Sequence, residues 1–290
     1  MDPVTALQRL GGVATFGELL GPTTRSALER AVRDGHIVKP RRNRYALVDT
    51  HEQVRRAVAL GGTLSHLSAA QHYGWKVKSA PERMSITVPR SARTPGSDVE
   101  VRWADLRDGE VHRHVTRRVR TVIDCARAYD FEIALSVADS ALREGLVTRS
   151  ELVAAAERSP RTGRAKVLRV AELASHKRAN PFESCLFAIA LTVPGLVVAP
   201  QGEVPGIGWV DLLDSRLGIV IEAESFEFHG TLDGLRRDVA RYTGCARRGL
   251  VVARFTWLEV MKDPEAVRAA LIDVVRWRTL QAVGGHGLCA

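Results

Sequence analysis

The chain has 290 residues, 45% of them apolar, and carries a formal net charge of +9 with a pI near 9.9. That length accommodates two or three domains, and that apolar fraction excludes a disordered chain. The positive excess favours a polyanionic partner, and the longest apolar stretch, residues 186–200, is broken by Pro194-Gly195 and too short to cross a bilayer.

Cys125, Cys185, Cys245 and Cys289 are far apart, so there is neither a CxxC metal pattern nor a dense disulfide framework. Reduced thiols and an N-terminus without an apolar signal core imply a soluble, cytoplasmic protein.

Residues 1–48 read as a small helical unit closed by a basic hairpin. Residues 5–10 form a first helix stopped by Gly11-Gly12, and residues 15–20 a second ended by Gly21-Pro22. Thr23 is the expected N-cap of a third helix running to Asp34, with Ala27, Leu28, Ala31 and Val32 inward and Gly35 ending it. Two short strands, residues 37–38 and 45–47, then flank Lys39, Arg41, Arg42 and Arg44. Arg25, Arg30 and Arg33 lie on the third helix. A helix enters the major groove and a hairpin tracks the backbone, so basic residues on both elements suit DNA. A solvated basic face on a packing domain is the alternative.

Residues 49–172 read as a mixed α+β middle domain. Residues 62–70 lead through a strand or turn into a short helix, residues 85–88 and 99–103 are strands, and residues 131–144 and 147–158 are helices, the last with a Thr148–Glu151 capping box. Arg113, Arg117, Arg118 and Arg120 form a further basic cluster. His66, His72, His112 and His114 have no ligand spacing, and nothing in this segment points to catalysis.

Residues 173–290 form the third domain. Asn180-Pro181 starts a helix, residues 196–199 and 208–213 are strands, 214–216 a turn, and 217–224 a strand returning antiparallel. A loop carries His229-Gly230, followed by a helix over 232–248, a strand over 250–255 and a helix over 264–278. Asp211, Glu222 and Glu224 stand on otherwise apolar strands. Period two puts Glu222 and Glu224 on one face, and the hairpin brings Asp211 towards them. Buried carboxylates ask for a cation, and oxygen-only ligands suit Mg²⁺ or Mn²⁺, which polarises a phosphate and activates water.

The order of the N-terminal elements, with their basic helix and hairpin, resembles the winged helix-turn-helix of AbiEi-type antitoxins, and the middle segment resembles the middle part of such chains. The last 110 or so residues have the order αβββαβ. With Pro181-Phe182-Glu183-Ser184, Gln201, Val210-Asp211, Glu222-Ala223-Glu224, Phe228-His229, Arg237-Asp238, Arg241 and Arg254-Phe255-Thr256-Trp257, that segment resembles the very-short-patch-repair branch of the PD-(D/E)XK nuclease superfamily. The implied fold class is α/β (α+β): a winged helix, a mixed middle domain and a restriction-endonuclease-like core. The resemblance implies that Asp211 and Glu222 are the principal metal ligands, Glu224 a third, and His229, Arg237 and Glu183 further catalytic groups.

One position departs from the signature. The superfamily carries lysine two residues after its glutamate, where this chain has Glu224. A carboxylate binds metal but supplies no positive charge, so His229 or Arg237 would take that role. Glu183 reads equally as a capping-box carboxylate, His229 as a loop histidine on Phe228, and Arg237-Asp238 as a surface pair.

The expected function is metal-dependent hydrolysis of DNA phosphodiesters in repair or defence. The alternative is a transcriptional regulator or antitoxin whose nuclease fold is inactive, acting on a toxin-gene operator, with the nuclease fold kept as a binding or homo-oligomer module. DNA is the partner in both, and neither involves a membrane.

Overall fold

The computed structural model describes residues 1–93, 96, 98–224 and 232–284. The chain is mixed α and β and divides into two compact units, Met1–Ala128 with Ser150–Val167, and Tyr129–Arg149 with Leu168 onward.

In the first unit α1 (Pro3–Arg9) begins with Asp2, which accepts the Thr5 amide, and with Pro3 in the first turn. β1 (Val13–Thr15) leads into α2 (Phe16–Leu20), where Thr15 and Glu18 make a reciprocal capping box. α3 (Arg25–Arg33) is capped by Thr24, not Thr23, whose side chain is buried instead. β2 (Ile37–Arg41) and β3 (Arg44–Leu47) form a hairpin around Asn43, which takes φ 62°. The sheet order is β1-β3-β2, antiparallel throughout. β1 escapes a sequence reading because three residues between a Gly pair and a helix cap show no period. Leu7, Leu19, Leu28, Ile37, Tyr45 and Leu47 pack as the core of this segment.

α4 (Glu52–Ala59), β4 (Thr63–Leu64), α5 (His66–His72), β5 (Met84–Val88), β6 (Val99–Trp103), β7 (Val111–His112), β8 (Val115–Thr116) and α6 (Arg118–Ala128) follow. Their five strands form one mixed sheet, order β6-β5-β4-β8-β7. The basic cluster expected around 113–120 is divided by this arrangement. Arg118 and Arg120 open α6, Arg118 lies over the Tyr73 ring, and Arg120 is held by Asp124 and Glu110 at 2.9 Å each.

α7 (Phe131–Glu144), α8 (Arg149–Glu157), α9 (Arg164–Leu173) and α10 (Pro181–Ala190) lead to the third sheet. α7 packs on α10 within the second unit. Between them Arg178 donates to Asp139 at 2.6 and 2.7 Å, both side chains being almost wholly enclosed. Asp139 also accepts the Ser184 hydroxyl and the Ser175 amide, so its charge is fully met by donors.

β9 (Ala199–Val204), β10 (Gly208–Asp214), β11 (Ile219–Glu224), α11 (Leu232–Arg247), β12 (Val251–Thr256), α12 (Trp257–Lys262) and α13 (Pro264–Gly284) complete the unit. The sheet order is β12-β11-β10-β9. β9, β10 and β11 are antiparallel, whereas β12 runs parallel to β11, which requires the crossover that α11 supplies. The strand expected at 196–199 lies instead at 199–204, because residues 191–195 turn and the backbone amide of Val197 is taken by the Asp214 carboxylate. Asp214 is buried at the hairpin and also accepts the Leu217 amide at 2.9 Å, so its charge is spent on the turn.

Candidate functional site

β10 and β11 bring Asp211 and Glu222 face to face. Leu212 pairs with Ile221, and one step further Asp211 falls opposite Glu222, whose Oε2 lies 3.4 Å from the Asp211 amide. Asp211 Oδ2 accepts the Ala223 amide at 2.8 Å. On its other side Asp211 falls between Val210, opposite Gly202, and Leu212, opposite Pro200. Gln201 therefore stands beside it, held at φ 51°, and donates to Asp211 Oδ1 at 3.3 Å. A left-handed glutamine in a strand is costly, and such strain clusters where a side chain must be aimed.

Both carboxyls resist ionisation. Burial, opposed by the Arg241 hydrogen bond and reinforced by the Asp211 charge, pushes Glu222 up to about 7. Burial also raises Asp211, opposed by the Ala223 amide and reinforced by the Glu183 charge. Glu183 sits on the first turn of α10, where its carboxylate accepts Ala179 N at 2.8 Å and Asn180 Nδ2 at 3.0 Å. Burial raises its pKa too. It therefore caps the helix, and its charge is felt at Asp211.

Glu224 is differently placed. Arg254 donates to its Oε2 at 2.6 Å and the Tyr242 hydroxyl at 3.3 Å, with the Arg254 guanidinium 4.1 Å above the Tyr242 ring. Burial, then the Glu224 charge, pushes the Tyr242 phenol far up. The expected convergence of three strand carboxylates is thus not formed. Among the described residues no group of three or more His, Cys, Asp or Glu side chains is arranged to hold a metal ion. Two facing carboxylates still fit Mg²⁺, which takes one or two protein carboxylates and fills its other positions with water and phosphate oxygens.

The cation of the site is Arg241. It donates to Glu222 Oε1 through Nη2 at 2.6 Å and Nε at 3.3 Å, and to the Trp209 carbonyl. Arg237, one turn earlier on α11, is exposed. In the sequence Arg241 stood only among the residues that carry the resemblance, with no role given to it. His229 lies outside the described residues.

The residues expected to touch DNA fall into two groups. Arg30 and Arg33 are exposed in the last turn of α3, and Arg42 is exposed at the hairpin turn. Arg25, Lys39 and Arg41 are exposed too but each rests against a neighbour, and Arg44 is half-buried. Arg25 and Lys39 each lie 5.0 Å from an aromatic centroid, those of Phe16 and Tyr45. Arg41 lies so close to Gly61 that a Cβ there would strike its guanidinium. Arg44 donates to the Asn43 carbonyl at 3.4 Å, and its charge helps lower Glu18 after the Thr15 hydrogen bonds.

No protein-family model matches the chain. No curated protein matches it either. A crystal structure of the RV2827C protein from Mycobacterium tuberculosis is similar at 15% identity and a TM-score of 0.31, covering 63% of this chain and 78% of that one. Among the described residues no helix is long and apolar enough to cross a membrane.

Proposed function

We propose that this chain binds DNA and hydrolyses phosphodiesters at the Asp211–Glu222 pair with Mg²⁺ or Mn²⁺. The observation that carries this reading is the placement of those two carboxyls, opposite one another on adjacent strands with both pKa values raised. Carboxyls held against their own ionisation are set up to exchange a proton for a cation. The helix, three-strand, helix, strand order around them supports a restriction-endonuclease-like core. The exposed Arg30, Arg33 and Arg42 on α3 and its hairpin support DNA contact by a winged helix.

The residues divide the work. Asp211 and Glu222 would hold the ion, whose chemistry is to polarise the phosphate and lower the pKa of bound water. Gln201 fixes the Asp211 carboxylate, and Arg241 fixes Glu222. Arg241 and Arg254 supply the positive charge absent at Glu224. Glu183 adds negative charge beside Asp211. The test is cleavage of plasmid and linear DNA with either metal, expected in the wild type and lost in Glu222→Ala with the fold intact. DNA left whole under both metals, with no heat of Mn²⁺ binding, removes the reading.

A second reading is favoured by a specific observation: Glu222 and Glu224 are each already neutralised by a guanidinium. In that reading the chain is a DNA-binding regulator of antitoxin type, and the C-terminal fold serves binding or self-association. Asp211→Ala would then leave operator binding unchanged while Arg30→Ala weakens it.

A further inference from the structure

Beside the carboxyl pair, on the same strand, stands a large apolar side chain. Trp209 is 56% exposed. Side chains alternate along a strand, so Trp209 and Asp211 share a face of β10, about 6.8 Å apart along it. The Lys177 ammonium lies 5.8 Å from the Trp209 ring centroid, and the Trp209 carbonyl is held by the guanidinium that also holds Glu222. The indole is thus anchored through its backbone to the carboxyl pair, while its ring stays more than half exposed with a cation over one face. Trp257 and Trp277 are also exposed, but they lie on α12 and α13 and share no strand with the carboxyls.

An exposed indole beside an ammonium is matched by a nucleotide: the ring stacks on a base, and the ammonium meets its phosphate. In a duplex each base is already stacked on both faces, so an aromatic platform this near the reacting phosphate takes only a base that has left the stack. We infer that Trp209 and Lys177 form a stacking site for an unpaired base. The substrate class is then single-stranded or locally unpaired DNA, not continuous duplex. This rests on the hydrolytic reading for the position of the scissile phosphate, but the platform itself is testable without turnover.

The experiment measures binding of a fluorescent single-stranded oligonucleotide, and of its duplex, to the full chain in a Glu222→Gln background. Salt is held at one moderate concentration throughout, so that phosphate contacts contribute alike to every variant. Trp209→Ala is expected to weaken single-strand binding roughly 5- to 100-fold. Trp209→Phe should retain most of the affinity, and Trp209→Leu, which keeps apolar bulk without a π face, should not. Duplex affinity should stay within about twofold, because helix and hairpin contacts to phosphates carry it. Unchanged single-strand affinity in both Trp209→Ala and Trp209→Leu, or an equal loss on duplex, overturns the inference. Single strands bound through Trp209, with a wild type carrying Glu222 that cuts no DNA under Mg²⁺ or Mn²⁺, keep the inference and remove the hydrolytic reading. Duplex cleavage indifferent to Trp209 does the reverse.

Discussion

Arg241 Nη2 stands 2.6 Å from Glu222 Oε1, and the same guanidinium reaches the Trp209 carbonyl. One cation on α11 therefore ties together β10 and β11 at the point where the two acids face each other. Its removal leaves a mostly buried carboxyl without its strongest donor. Arg241→Gln is expected to destabilise the fold by about 1–3 kcal/mol at pH 8. The loss should be smaller at pH 5, where Glu222 is protonated. Urea melts at the two pH values measure the difference.

The raised pKa of Glu222 has a defined sign. A carboxyl at about 7 when folded, against 4.5 as its ordinary value, binds its proton more tightly in the native state. Its stabilising contribution is full below pH 4.5 and is lost as pH rises to about 7. The size is on the order of 3 kcal/mol. Wild type should therefore lose stability relative to Glu222→Gln across that window, and be flat relative to it above. Added Mn²⁺ should restore wild type, and not the variant, at pH 8. Equal pH profiles for the two proteins would show that Glu222 titrates normally.

The two glutamates of β11 should differ in their effect on metal binding. Glu224 is engaged by Arg254 and Tyr242, and Glu222 faces Asp211. Calorimetry with Mn²⁺ is expected to show no binding in Glu222→Ala. Glu224→Gln should leave binding measurable, weakened by no more than about 10- to 100-fold, as expected of a neighbouring partner rather than a direct ligand.

Asp139 and Arg178 are enclosed, at 1% and 2% side-chain exposure, so neither charge can be solvated if the other is removed. Asp139→Ala is expected to cost about 3–5 kcal/mol. The double change Asp139→Leu with Arg178→Met should recover most of it. Thermal unfolding of the wild type, the single variant and the double variant makes the comparison.

Arg30, Arg41 and Arg42 are all exposed, but the Arg41 guanidinium also lies against Gly61. Arg30→Ala and Arg42→Ala should each weaken DNA binding and reduce the slope of log affinity against log salt by about 1. Arg41→Ala should reduce it less. A titration at several salt concentrations reads all three.

Much of the second unit was legible because its strands alternate and its helices carry caps. Asn180-Pro181 marks the start of α10, and residues 208–213 and 217–224 mark the hairpin. The acids on that hairpin stood out because aliphatic side chains were expected there. β1, α9 and α12 were not legible, being short or without a clear stripe. The basic run at 113–120 was misread as one patch, because a linear sequence does not show that Arg120 turns towards Asp124 and Glu110.

The sequence by itself determined the element order of the C-terminal half, the Asp211–Glu222 facing, and the basic character of α3 and its hairpin. These follow from periods of 2 and 3.6 and from turn residues, which act over a few positions. Only the tertiary structure decided what each acid is bonded to. Glu224 shares a face with Glu222 by period, yet Arg254 and Tyr242 hold it, and Arg241 arrives at Glu222 from nineteen residues away. Partners of that kind are chosen by the packing of α11 and β12 on the sheet. The low polarity around the pair then sets its pKa values, and neither is written in local spacing.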